Sequence, residues 1–396
     1  MLFNGLTLSH LIYGQGWQDR DGAMFRAKTV LVIGAGASFE VGLPVGHDLL
    51  KQITQLTYIT FEHYRQKTGD ESILQALKLC LNEGHEVTKL NEHLDAGWQL
   101  SESAKQALSI DNVIDALEDP KVELVGKIGI VRAILKAEAA SPAFKHFQNM
   151  PDTLDLSKFG EAWFSSLTKL LTENVRKSQV ASIFDNLEII NFNYDRCLEH
   201  YLPFSLASYY GMKPEAIREI MQNLTIHRPY GVAGRLPWQK GETPSVDFGE
   251  GSPQQLADVA QLVRTFTERV EEGDELAAMR TTIANADRLV FLGFAFHRQN
   301  VELLSQQMQD HAEIVATAFH ISPSDKSVIE DELGKAFGHE FIMHDTRIQL
   351  ADMTCAQFFH EYWRTLTAEK GDHEPFQMPD IGSRIPAMPS FPKFGN

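Results

Sequence analysis

The chain of 396 residues is short of cysteine, with only Cys80, Cys197 and Cys355. They lie far apart and form no C-x-x-C pair, which excludes a disulfide framework or a paired-thiol metal site and fits a reducing compartment. Positive charge is scarce as well. Lys and Arg number 36 against 53 Asp and Glu, for a formal net charge of −17. A dedicated nucleic-acid surface needs a basic stripe, so direct nucleic-acid binding is not expected. No apolar run approaches the roughly 18 residues of a membrane span, and no cationic segment followed by an apolar run opens the chain. The expectation is a soluble cytoplasmic protein without membrane contact. Core material is ample, at 43% hydrophobic and 22% charged residues.

The remaining pattern is mixed helix and strand. Residues 1–27 lack periodicity and read as an N-terminal arm, and "PFQMPDIGSRIPAMPSFPKFGN" after about 370 reads as a Pro/Phe-rich tail (371–396). Between them, short β-branched runs recur at 30–33, "LEIINF" (187–192), "LTIH" (224–227), "RLVFLGFAF" (288–296) and "EIVATAFHIS" (313–322). Helical patterns separate them, which predicts an α/β fold with a Rossmann-like parallel sheet. The stretch from about 47 to 180 is helical in pattern, including "HDLLKQITQLTYITFEHYRQ" and a pair of helices broken at Pro120. It is too long for a simple crossover and reads as a large insertion within a domain spanning 28–370.

The densest signal is "VLVIGAGASFEVGLPVGHDLL", Val30 to Leu50. A wholly apolar strand runs into Gly34 and Gly36, which permit a tight turn and close approach of a ligand to the backbone. The following helix start would face a pyrophosphate. An ordinary strand-to-helix turn would have the same composition. The dehydrogenase fingerprint G-x-G-x-x-G fails, since Phe39 takes the third glycine position. Instead Gly42, Leu43 and Pro44 stop the helix early. This arrangement resembles the sirtuin signature, in which Gly-Ala-Gly-x-Ser and a later Gly-Ile-Pro surround NAD. Gly34, Ala35, Gly36, Ser38, Gly42 and Pro44 match it in order.

Two further strand ends carry chemistry. "EIINFNYDRCLEHYL" sets Asn193, Tyr194 and Asp195 at the carboxyl edge of the sheet, where open α/β sheets bind ligands, although Asp195 is also a favoured helix N-cap. "LTIHRPYGVAGRLPW" ends a strand in His227, which can accept a proton near neutral pH, three residues ahead of Tyr230 and Gly231. A satisfied core histidine is the plain alternative. Asn193 and Asp195 match the Asn-x-Asp of sirtuins, whose Gln falls here on Phe192. Gly293 and Phe294 resemble the Gly-Phe-Ser-Phe segment of zinc-free sirtuin relatives, with Ala295 in place of Ser.

The resemblance extends over most of the chain to the zinc-free bacterial sirtuin-like NAD hydrolases of antiphage defence. The four-cysteine zinc ribbon of the deacetylases cannot be assembled from three scattered thiols, so no metal is expected. The resemblance implies cleavage of NAD⁺ to nicotinamide and ADP-ribose, with Asn193 and His227 catalytic. It places Gly34, Ala35, Gly36, Ser38, Gly42, Pro44, Asp195, Gly231, Gly293 and Phe294 around the dinucleotide. It also implies a homo-oligomer with a HerA-like ATPase as trigger, acting in abortive infection. The alternatives are a non-catalytic NAD- or ADP-ribose-binding regulator and an NAD-dependent protein deacylase. A side chain at Gly36 is expected to block the pyrophosphate.

Overall fold

A computed structural model of the chain describes residues 24–81, 87–144, 154–265, 273–338 and 347–369. The tail lies outside the described residues, as does the N-terminal arm up to residue 23.

Six parallel strands form the central sheet. In chain order the strands are β1 (Thr29–Ile33), an outlying hairpin of β2 (Thr60–Glu62) and β3 (Arg65–Thr68), then β4 (Leu187–Asn191), β5 (Thr225–His227), β6 (Arg288–Leu292), β7 (Glu313–Thr317) and β8 (Ile348–Ala351). The sheet order is β5-β4-β1-β6-β7-β8. Counting only its own strands, this is 3-2-1-4-5-6, the doubly wound Rossmann order, whose direction reverses between β1 and β6. All five residues of β1 are buried. Leu31 and Ile33 join one apolar cluster and Val30 and Val32 another, so the continuous apolar run reflects cover on both faces.

Between β1 and β4 lie α1 (Ala35–Phe39), α2 (Gly46–Thr57), α3 (Glu71–Cys80), α4 (Val87–Ser103), α5 (Ile110–Leu117), α6 (Pro120–Ala140) and α7 (Trp163–Thr172). After β4 come α8 (Cys197–Tyr210), α9 (Pro214–Ile220), α10 (Pro253–Ala260), α11 (Asp274–Ala284), α12 (Arg298–Leu304), α13 (Pro323–Phe337), α14 (Cys355–Glu361) and α15 (Trp363–Thr367). Side chains of α7, α8 and α14 share the cluster on one face of the sheet, and those of α11, α12 and α13 the cluster on the other. The helices α2 to α6 pack with α10 around a third cluster of their own. Side-chain caps set several boundaries. Ser109 accepts from Asn112 N at the start of α5, and Asp119 accepts from Lys121 N ahead of Pro120 in the first turn of α6.

The sequence reading needs two corrections here. "HDLLKQITQLTYITFEHYRQ" is not one helix, because α2 ends at Thr57 and the β2–β3 hairpin follows. His63 and Tyr64 take positive φ at the tip of the hairpin, which apolar periodicity does not reveal. The edge strand β8 was not anticipated. It is four residues long and only Ala351 in it is fully buried.

A buried ion pair ties the helical block to the carboxyl edge of the sheet. Glu138 on α6 accepts from Arg196 Nε at 3.0 Å, Arg196 Nη2 at 2.5 Å and the Arg196 backbone N at 2.9 Å. Arg196 also donates to Val246 O at 2.6 Å and Asp247 O at 3.0 Å. Both side chains are almost wholly buried, at 1% and 0% exposure. Such a pair adds little net stability over an apolar one, but removing one partner strands a buried charge.

Candidate active site

The crevice outside the carboxyl ends of β1 and β6, at the reversal of strand order, is the expected ligand position in such sheets. A cavity of about 200 Å³ opens there. Its walls come from the β1–α1 loop, the Pro44 turn, α5, the segment after β4 and the segment after β6.

The polar side of the wall is one hydrogen-bonded set. Asn193 Nδ2 donates to Gly34 O and to Ser38 Oγ, both at 2.9 Å. Ser38 Oγ donates in turn to Asp195 Oδ2 at 2.7 Å. The second Asp195 oxygen accepts from Cys197 N at 3.0 Å, so the carboxylate serves the cap at the start of α8 and the cavity wall together. Both amide protons of Asn193 are engaged, which leaves its Oδ1 to accept from a ligand. Asn193 and Asp195 are 8% and 4% exposed, as their closed network requires. Arg228 Nη1 donates to the backbone carbonyls of Asn193 at 2.6 Å and Asp195 at 2.9 Å, which fixes the segment from behind.

The opposite wall is aromatic. Phe192 meets Tyr230 edge-on with ring centroids 5.4 Å apart, and Phe294 likewise at 5.1 Å. Tyr230 Oη donates to Asn300 Oδ1 at 2.5 Å. Burial, and secondarily the charge of Asp111, push the Tyr230 hydroxyl well above its ordinary range, so it stays protonated and donates. Asp111 on α5 and His297 at the start of α12 also line the cavity.

The glycines act differently from expectation. Gly34 N donates to Leu292 O and Gly36 N to Gly293 O, both at 2.9 Å, and Ala37 N to Gly34 O at 3.0 Å. These three N–H groups are engaged within the protein and are not presented to a phosphate. A Cβ on Gly36 would meet Gly293 Cα and O at 2.9 Å, and a Cβ on Gly293 would meet Ala37 N at 2.0 Å. Gly293 also holds φ +57°. The glycines therefore let the loops after β1 and β6 interlock, so a side chain at Gly36 strikes protein backbone rather than a ligand. Gly42, at φ +86°, makes the turn that ends α1.

Of the residues singled out in the sequence, the cavity gathers Gly34, Ala35, Ser38, Pro44, Asn193, Asp195 and Phe294. Gly36, Gly42, Gly231, Gly293 and His227 do not line it, and Gly231 borders a separate cavity. His227 Nε2 lies 3.0 Å from Thr282 Oγ1, whose proton goes to Glu188 Oε2 at 2.6 Å. With the Thr282 proton committed, Nε2 must be the donor and Nδ1 carries the lone pair, so a carboxylate and a hydroxyl orient the imidazole. The His227 ring, with Nε2 3.9 Å from Oε2, and then the hydrogen bond from Thr282 hold the Glu188 carboxyl below its ordinary value against the opposing effect of burial. Asp111, Tyr230, His297 and Asn300 were not assigned to the site from sequence. Asp111 had a readable signal, since the cap Ser109 places it in the first turn of a helix.

Burial, and secondarily Asp195, drive the Cys197 thiol well above its ordinary range, so it is no nucleophile. Among the described residues no group of three or more His, Cys, Asp or Glu could hold a metal ion. No helix among them is long and apolar enough to cross a membrane. No protein-family model matches the chain, and no curated protein matches it.

Proposed function

We propose that the chain hydrolyses the N-glycosidic bond between nicotinamide and ribose in NAD⁺. The observation that carries this reading is the Ser38–Asn193–Asp195 network facing an aromatic wall at the reversal point of a doubly wound sheet. A flat heteroaromatic ring packs against Phe192, Tyr230 and Phe294. The cavity, at about 200 Å³, is smaller than the ~300–1,000 Å³ of whole-ligand sites and suits one end of a dinucleotide, the rest lying in its mouth.

In the reaction the C1′–N bond breaks, its electron pair neutralises the pyridinium nitrogen, and positive charge develops on the ribose. Asp195 and Asp111 set two carboxylates on the cavity wall, which favours the cationic nicotinamide ring and the oxocarbenium-like transition state. Asn193 Oδ1 accepts from a ribose hydroxyl or the attacking water. Water adds to C1′ and gives up its proton, which the reading assigns to His227 although the ring does not line the cavity. Effector action in antiphage defence, as a homo-oligomer triggered by a HerA-like ATPase, completes the reading and is supported by the sequence resemblance alone.

A second reading, binding of NAD or ADP-ribose without turnover, is favoured by one observation: His227 lies outside the cavity lining. Incubation of the purified chain with NAD⁺, followed by chromatography, separates the two. Equal release of nicotinamide and ADP-ribose without an acylated peptide supports hydrolysis, and tight binding with intact NAD⁺ supports the binding protein.

A further inference from the structure

A second cavity of about 330 Å³ lies beyond the end of β5. Four cationic side chains border it, Arg228, Arg235, Lys240 and Arg264, against two carboxylates, Glu199 and Glu275. In a chain of net charge −17 this is a local reversal of sign. Arg228 is paired with Glu199. Lys240 and Arg264 have no carboxylate partner among the described residues.

Two buried atoms are left unsatisfied beside these charges. Arg235 Nε is a donor with no acceptor, and Glu199 Oε2 is an acceptor with no donor. Buried polar atoms are normally paired, so an orphan donor and an orphan acceptor in one cavity wall describe the ligand that would complete them. The cations and Arg235 Nε call for an anion with several acceptor oxygens, and Glu199 Oε2 calls for a hydroxyl.

We infer that this second cavity binds a sugar phosphate, either free or as the ribose-phosphate part of a nucleotide, separately from the first cavity. The phosphate sits among Arg235, Lys240 and Arg264, and a sugar hydroxyl donates to Glu199. A cavity of this size suits a small molecule rather than a nucleic-acid backbone. The inference does not rest on the NAD⁺ reading. It shares one residue with the first site, because Arg228 lines this cavity while holding the carbonyls of Asn193 and Asp195.

The test is calorimetric titration of the full chain with ribose 5-phosphate, adenosine diphosphate and inorganic phosphate. Binding is expected for at least one of the first two, tighter than for inorganic phosphate, and the tighter of them distinguishes a free sugar phosphate from a nucleotide. The double variant Lys240→Gln/Arg264→Gln alters two exposed side chains and is expected to weaken binding about tenfold, the equivalent of ~1.4 kcal/mol. Asn193→Ala, in the first cavity, is expected to leave it unchanged. Absence of binding at millimolar concentrations would overturn the inference. So would loss in Asn193→Ala with retention in the double variant, or inorganic phosphate binding as tightly as the other two.

Discussion

The two halves of the sheet's carboxyl edge are built on opposite principles. On the β1–β6 side the loops fit because side chains are missing: Gly34, Gly36 and Gly293 let two backbones touch, with N···O contacts of 2.9 Å. On the β4–β5 side the segment after Asn193 is fixed by charge, through Glu138–Arg196 and Glu199–Arg228. The candidate site lies between them, so its polar groups are positioned by a steric lock from one side and by buried ion pairs from the other. A glycine pattern is therefore evidence of close loop packing before it is evidence of a phosphate.

Breaking the charged side has the largest expected effect. Glu138→Ala strands Arg196, whose side chain is 1% exposed, and is expected to cost about 3–5 kcal/mol in chemical denaturation. Glu138→Leu strands the same buried charge and should lose a comparable amount, and a near-neutral Glu138→Ala would deny the pair its role. The histidines sharpen the comparison next. His227→Ala is expected to lower NAD⁺ turnover about a hundredfold, the scale of a lost general base, with His297→Ala near wild type. The reverse pattern in purified variants would move the proton acceptor to the histidine that lines the cavity.

The steric side should give way by less. Gly36→Ala drives a Cβ to 2.9 Å from Gly293, and overpacking of this kind costs about 1–3 kcal/mol. Stability should fall in Gly36→Ala whether or not nucleotide is present, and a variant with unchanged stability but lost NAD⁺ affinity would restore the cradle reading. The smallest effect belongs to Glu188. Its folded carboxyl is held below the ordinary value of 4.5 by His227 first and Thr282 next, so its contribution is present above that value. The contribution disappears as pH falls through the folded value. Wild type should exceed Glu188→Gln slightly at neutral pH, with the gap closing below pH 4.5. A gap that widens in acid would reverse the sign of the argument.

The sheet was legible because five of its strands announce themselves as short β-branched runs at Val30, Leu187, Thr225, Arg288 and Glu313. The edge strand at Ile348 carries too little burial to do so, and the hairpin around His63 depends on left-handed backbone that apolar spacing does not encode. Within the site, Ser38, Asn193 and Asp195 were legible because each stands within a few residues of a strand end. Asp111 and Asn300 reach the cavity through the packing of distant helices and Tyr230 from the loop after β5, and beyond the Ser109 cap ahead of Asp111 no local pattern assigns them to it. Gly231 illustrates the converse, since its position near a strand end put it beside the second cavity instead.

Asn193 tests the central claim most directly, because Oδ1 is its one hydrogen-bonding atom left for a ligand and truncation removes it. Purified wild type and Asn193→Ala, matched by circular dichroism, would be incubated with NAD⁺ and the products separated. The account predicts equal nicotinamide and ADP-ribose from wild type and neither from Asn193→Ala. Intact NAD⁺ with the wild-type chain, or undiminished turnover by a folded Asn193→Ala, would contradict it.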